Sequence, residues 1–362
     1  MKAGLVAVPS AARSVWTRGF KFQGGVSRTN MATDSSIASG TESVAVAGPG
    51  RMGIGIAQVF ACAGSDVALL DVKGRTETEW EDKREYVTET IRSDLALLEE
   101  EASFDGDQEA IRERVTPTRS VEEALEGTGW LFEALPESPE LKREFYGEAL
   151  AHLAADAIVA STTSSISLDE LASPFDDPGR LVIAHWWNPP LIVPLVEVAH
   201  SEVTDEDTVS ATVDVLEAVG KEPVLCEDHP GFIGSRVQAA AMNEAIRAYE
   251  ESVADPADID RALKTGFGFR LPVLGIIEHV DLGGVDVLHH VNEYLSEALG
   301  ERFENPESVE EKIAASELGP ETGRGYYDYE GEDAEAIKRE RYRAMIAIHE
   351  AVYSEPPVPT DD

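Results

Sequence analysis

His185 and Glu197 are the two side chains of this sequence whose positions most suggest proton chemistry. His185 closes the apolar run Leu181-Val182-Ile183-Ala184, and Glu197 interrupts the next run, Leu195-Val196-Glu197-Val198, twelve residues on. A carboxylate inside an apolar strand is costly to bury unless it is paired. A histidine one strand away is the obvious partner. Such a pair fixes the ring tautomer and makes the imidazole more basic, which is what a general base requires. A histidine at a strand end can also be a satisfied structural residue, but the carboxylate and the Asn188-Pro189 turn beside it favour a site.

A second constellation points to a dinucleotide. The apolar run Ser43 to Ala47 ends in Gly48-Pro49-Gly50-Arg51-Met52-Gly53, a helix-compatible stretch follows to Ala63, and the next apolar run, Val67 to Leu70, ends at Asp71. In a strand–helix–strand unit these glycines permit a tight turn and close approach of backbone to a pyrophosphate, which the helix N-terminus attracts. Gly48, Gly50, Met52 and Gly53 are therefore expected at the cofactor. Asp71, 23 residues after Gly48, suits a ribose 2′-hydroxyl and repels a 2′-phosphate, so NAD is the expected cofactor.

These residues need an open sheet with helices on both faces to hold them. Residues 43–200 alternate short apolar runs with helical stretches, the pattern of a doubly wound α/β sheet. Strands are expected at Val115-Thr116, Trp130 to Leu135, Ala157 to Ser161, Leu181 to Ala184 and Leu195 to Val198, with a long charged helix over Glu77 to Glu100. From Asp205 onward strand signals nearly vanish, and glycine and proline separate a series of helical stretches. The expected organisation is an extension over 1–40, an NAD-binding Rossmann-type domain over 41–225, and an all-α substrate domain over 226–355.

Composition narrows the partners. The 362 residues suit about two domains, and 43% hydrophobic content argues for a folded chain. There are 30 Lys+Arg against 69 Asp+Glu, a net charge of −39. The acids are scattered along helices rather than gathered in a tail, as in proteins that work at high salt, where ions screen self-repulsion. Nucleic acid and anionic membranes are disfavoured, and no apolar run approaches membrane-span length. Cys62 and Cys226 are the only cysteines and indicate neither a disulfide framework nor a metal site. The first thirty residues carry five bases and no acid, a transit-peptide composition. The acidic remainder favours instead a dispensable extension, a start at Met31 and a cytoplasmic location.

Seven motifs follow one another over about 43–330: Gly48-Pro49-Gly50-Arg51-Met52-Gly53, Glu133-Ala134-Leu135-Pro136-Glu137 with Leu141-Lys142, and Ser161-Thr162-Thr163-Ser164-Ser165-Ile166. His185-Trp186-Trp187-Asn188-Pro189, Leu195-Val196-Glu197-Val198, Asp228-His229-Pro230-Gly231-Phe232-Ile233 and Thr322-Gly323-Arg324-Gly325-Tyr326-Tyr327 continue the series. Together they make a resemblance to the 3-hydroxyacyl-CoA dehydrogenase family. It implies NAD-dependent oxidation of a 3-hydroxyacyl-CoA, with His185 as proton acceptor and Glu197 as its orienting carboxylate. It also implies Ser164 between nicotinamide and substrate, Asn188 on the substrate, Glu137 and Lys142 on the cofactor, and a homodimer.

This chain departs from the family pattern in three places. Ser235 stands where the family has an asparagine, and Trp186-Trp187 replaces a Phe-Phe pair. The segment after the second strand offers Lys83, Arg84 and Arg92 among many acids, and Leu95 to Asp107 has no base to seat coenzyme A. These departures keep open a CoA-free hydroxy acid as substrate, as in gulonate or carnitine dehydrogenases. A catalytically silent, crystallin-like role is the remaining alternative, and the His185–Glu197 pair argues against it.

Overall fold

Strand β1 (Ser43–Ala47) lies in the middle of the molecule's sheet and shows how the core is divided. Its side chains alternate: Val44 and Val46 join one buried cluster with Ile54 and Phe60, while Ala45 and Ala47 join another with Phe145 and Tyr146. A strand covered on both faces is apolar along its buried length, and β1 is so from Val44 to Ala47 after an exposed Ser43. This is the computed structural model of the chain, and it describes residues 43–100 and 106–353. The expected extension over 1–40 and the start at Met31 lie outside the described residues.

Eight strands form one sheet in the order β3-β2-β1-β4-β5-β6-β7-β8. They are β1, β2 (Asp66–Leu70), β3 (Val115–Thr118), β4 (Trp130–Glu133), β5 (Ile158–Ser161), β6 (Leu181–Trp186), β7 (Leu195–His200) and β8 (Glu222–Glu227). The first six run parallel; β7 turns back against β6, and β8 runs parallel to β7. Chain order reverses direction at β1, between β2 and β4, so the crevice for a ligand opens past the carboxyl end of β1.

β8 was not expected from the sequence, and it carries the sheet across residue 225, the expected end of the domain. Glu222-Pro223-Val224-Leu225-Cys226-Glu227 is short, contains a proline and ends in acids, so it shows no buried-strand pattern. Only at an edge, with Val224 and Leu225 exposed, is such a sequence tolerated as strand.

Helix α1 (Arg51–Cys62) is buried from Gly53 to Ala61. Helix α2 (Glu77–Glu100) buries only Trp80, Val87, Ile91 and Leu95, one stripe at helical spacing, and turns its acids to solvent. Helix α3 (Pro139–Ala149) is capped by the Ser138 side chain accepting from Leu141 N–H. Helix α4 (Glu206–Ala218) connects β7 to β8, and helix α5 (Gly234–Glu250) follows.

Contacts divide the chain into two units within α5, one up to Asn243 and one from Glu244. The second unit is helical, with α6 (Pro256–Ala262), α7 (Ile276–Gly283), α8 (Val285–Leu299), α9 (Glu307–Ala315) and α10 (Ala334–Val352). Its buried polar anchor is Asp281. The carboxylate accepts from Tyr326 and Tyr327 N–H, both at 2.9 Å, and from the Tyr329 hydroxyl at 3.1 Å. A Cβ at Gly325 would collide with that carboxylate, at 2.4 Å. The Gly323-Arg324-Gly325-Tyr326-Tyr327 motif is thus a loop wrapped on a buried acid.

Candidate active site

The turn after β1 is built for backbone to come close. Gly48 has φ +102, and a Cβ there would lie 2.5 Å from the Ala134 carbonyl oxygen. A Cβ at Gly53 would sit 1.9 Å from the Gly48 oxygen, so Gly53 permits the turn from beneath rather than facing a ligand. Gly50 has nothing within 4 Å of its Cβ direction. It is the N-cap of α1, makes no side-chain cap, and no acid stands in the first turn. Free N–H donors and the positive end of the helix dipole therefore face open space, which is the fit a pyrophosphate requires.

That space is a cavity of about 550 Å³ whose lining includes Gly48, Gly50, Met52 and Asp71. Asp71 lies at the end of β2, nearly fully buried. Its carboxylate accepts from Lys73 N–H at 3.2 Å and from the Arg75 guanidinium.

His185 and Glu197 are direct cross-strand partners in β6 and β7, so their side chains share one face of the sheet. His185 Nδ1 lies 2.8 Å from Glu197 Oε2, which also accepts from the Trp187 indole at 3.0 Å. Glu197 Oε1 accepts from Ile233 and Gly234 N–H at 2.9 and 2.8 Å. Burial would raise the Glu197 carboxyl, but the bonds from His185, Gly234, Trp187 and Ile233 outweigh it and hold the group at about 2. The carboxylate is ionised, so Nδ1 carries the proton it accepts. Nε2 of the neutral ring then bears the lone pair. Phe232, at 5.4 Å between ring centroids, and Trp187, at 5.9 Å, flank the imidazole.

A second hydrogen-bonded network, at the surface, holds the serine loop after β5. Glu137 accepts from the Thr163 hydroxyl at 2.7 Å, from Ser164 N–H at 2.9 Å and Oγ at 3.3 Å, and from Ser165 N–H and Oγ. Burial opposes ionisation of Glu137, yet these donors and the Lys142 charge keep its carboxyl below the usual carboxylate range. Ser164 itself is exposed. Beneath the loop, Glu133 closes β4 and accepts from Lys142 Nζ at 2.6 Å, Leu135 N–H at 2.6 Å, the Tyr146 hydroxyl at 2.7 Å and Ser161 Oγ at 2.8 Å. Lys142 has no exposed surface. Its ammonium stands behind the loop, 3.8 Å from Glu137, where it holds acids in place instead of reaching into the cavity.

The turn between β6 and β7 carries exposed Asn188. Lys221 tethers that turn by donating to the carbonyls of Pro190 and Val193; burial lowers its ammonium to about 8. The serine loop, Asn188 and the Gly-rich turn follow the carboxyl ends of parallel strands, while His185 is the penultimate residue of β6 and Glu197 faces it from within the antiparallel β7. Sequence reasoning missed Glu133, Trp187 as an indole donor, Lys221 and the N–H pair at Ile233-Gly234. A signal existed for Glu133, which ends the apolar run Trp130-Leu131-Phe132 as Glu197 interrupts its own; backbone donors leave none.

A sheet wound this way, with a dinucleotide cradle at its reversal point, belongs to an NAD-dependent oxidoreductase. Residues 43–229 match the NAD-binding domain of 3-hydroxyacyl-CoA dehydrogenase and residues 231–329 match its C-terminal domain; the chain belongs to the 3-hydroxyacyl-CoA dehydrogenase family. It is 32% identical over 306 residues to 5-formyl-3-hydroxy-2-methylpyridine 4-carboxylate 5-dehydrogenase of Mesorhizobium japonicum, covering 84% of this chain and 96% of that one. It is 31% identical to human mitochondrial hydroxyacyl-coenzyme A dehydrogenase, covering 85% and 98% of the two chains. The crystal structure of a 3-hydroxyacyl-CoA dehydrogenase from Archaeoglobus fulgidus superposes with TM-score 0.67 at 31% identity, covering 84% of this chain and 98% of that one.

Proposed function

We propose that this enzyme oxidises a 3-hydroxyacyl-CoA to the 3-oxoacyl-CoA, reversibly, with His185 as general base and Glu197 as the residue that orients it. The observation that carries this reading is the His185–Glu197 contact of 2.8 Å on the face where Glu197 is held ionised by four donors. Glu197 fixes the Nδ1–H tautomer, so Nε2 takes the proton of a secondary hydroxyl and returns it to the alkoxide in the reverse direction. Bound NAD supplies the hydride acceptor. Ser164 and Asn188 bind and orient the carbinol and acyl portions; Glu137 and Lys142 keep the serine loop in register beside the cofactor.

One observation favours a second substrate class, a CoA-free hydroxy acid or carbinol. Trp187 packs across Gly234 beside Ser235, where a family member's asparagine would meet an acyl carbonyl, and a relative 32% identical is named for a pyridine carboxylate. Rates of NADH oxidation at molar KCl with acetoacetyl-CoA, acetoacetate and a panel of keto acids separate the two. Turnover of the thioester alone supports the acyl-CoA reading; turnover of free acids alone replaces it.

We further infer a homodimer in the cytoplasm. Helix α5 buries no side chain although Val237, Met242, Ile246 and Tyr249 are spaced along it and exposed. Such a stripe requires cover, and a second copy provides it. Light scattering that returned one chain's mass, 39.2 kDa, would refute the dimer.

A further inference from the structure

The cavity at the Gly-rich turn is positively charged in a protein of net charge −39. Four cations line it, Arg51, Lys73, Arg75 and Lys83, against one carboxylate, Asp71. That carboxylate is engaged by the Arg75 guanidinium and by Lys73 N–H, which blunts its repulsion of a phosphate. Lys83 leans over the turn from α2, its Nζ donating to the Pro49 carbonyl at 3.3 Å. Burial and the charges of Arg75 and Lys73 push the Lys83 ammonium down; Asp71 offsets only part.

The pyrophosphate does not account for all of these bases. Its two charges are met by the open N-terminus of α1, where Arg51 is the first residue. Lys73 and Arg75 instead follow Asp71 on the turn beyond β2, the place where a dinucleotide's ribose 2′ position is read. A guanidinium there, with ammonium groups beside it, is the donor set for a phosphomonoester dianion. We propose that Lys73, Arg75 and Lys83 form a ribose-phosphate seat that lets this enzyme bind and use NADPH as well as NADH.

The same chemistry could serve the 3′-phosphate of a coenzyme A nucleotide, and direct binding distinguishes the two. NADH and NADPH are titrated by fluorescence into the full chain at one KCl concentration, and adenosine 2′,5′- and 3′,5′-bisphosphates are used to displace bound NADH. We expect NADPH to bind within about tenfold of NADH, and Lys73→Ala/Arg75→Ala to weaken NADPH at least about tenfold more than NADH. The 2′,5′ isomer should be the better displacer. NADPH binding more than about tenfold weaker than NADH overturns the proposal. So does an equal loss for both cofactors in the variant, or preference for the 3′,5′ isomer.

Discussion

Trp187 lies directly over Gly234: a Cβ at that glycine would come within 2.4 Å of the indole Cζ2. The same indole donates to Glu197 Oε2, and the Gly234 N–H donates to Glu197 Oε1. Two departures from the family pattern, the paired tryptophans and Gly234-Ser235, are therefore one packing unit around the dyad's carboxylate. Gly234→Ala should displace the indole and lower kcat by about 10- to 100-fold. Trp187→Phe/Gly234→Ala should lose much less than the product of the single losses, because phenylalanine leaves room for the methyl. A steady-state kinetic cycle checks this; purely multiplicative losses would mean that the contact is not shared.

The dyad can be tested by removing each half. His185→Ala and Glu197→Gln should each cut turnover by about 10²- to 10⁴-fold while NADH affinity, read by fluorescence, stays close to wild type. Neither residue lines the cavity at the Gly-rich turn. Turnover near wild type in both variants removes His185 from the mechanism.

Lys142 faces Glu133 with no exposed surface on either side chain. Lys142→Met would strand a buried carboxylate and should cost about 3–5 kcal/mol of stability. Glu133→Gln/Lys142→Met should recover part of that loss, since an amide needs no counter-charge. Urea midpoints of the three proteins give the comparison; an unchanged midpoint in Lys142→Met would show that water reaches the pair.

Acid stability carries a signature of Glu197. Its carboxyl falls from 4.5 to about 2 in the folded chain. A depressed folded value means that its contribution is fully present above pH 4.5 and disappears as the pH falls toward 2. Many of the 69 acids titrate over the same range, so the difference between wild type and Glu197→Gln isolates this one. The wild type's advantage in urea midpoint should shrink between about pH 5 and about pH 3. A gap that stays constant would contradict the low value.

Much of the frame was legible in the sequence because it is written in local patterns. Short apolar or β-branched runs mark β1 to β7, and the Gly-rich turn with Asp71 marks the cofactor crevice, since both depend on neighbours within one strand–helix–strand unit. His185 and Glu197 stand out because a charge in an apolar strand needs a partner. The helices from Asp205 onward were legible too, apart from α7, a short segment whose end at Gly283-Gly284 reads as a separator between helices.

The rest was decided by tertiary structure, for physical reasons that no local pattern carries. That β7 runs against β6, and in the register that sets Glu197 opposite His185, follows from the turn Lys221 tethers from 31 residues away. The N–H groups that complete Glu197's shell arrive from residues 36 and 37 positions later. Lys142 carries an ordinary surface residue's identity, yet packing against Glu133 and Tyr146 buries it entirely. Asp71 reads as a ribose acceptor in sequence, and only the fold brings the Arg75 guanidinium onto it with Lys83 of the next helix nearby. Charges and backbone donors act through space, so their meaning waits on which elements the sheet brings together.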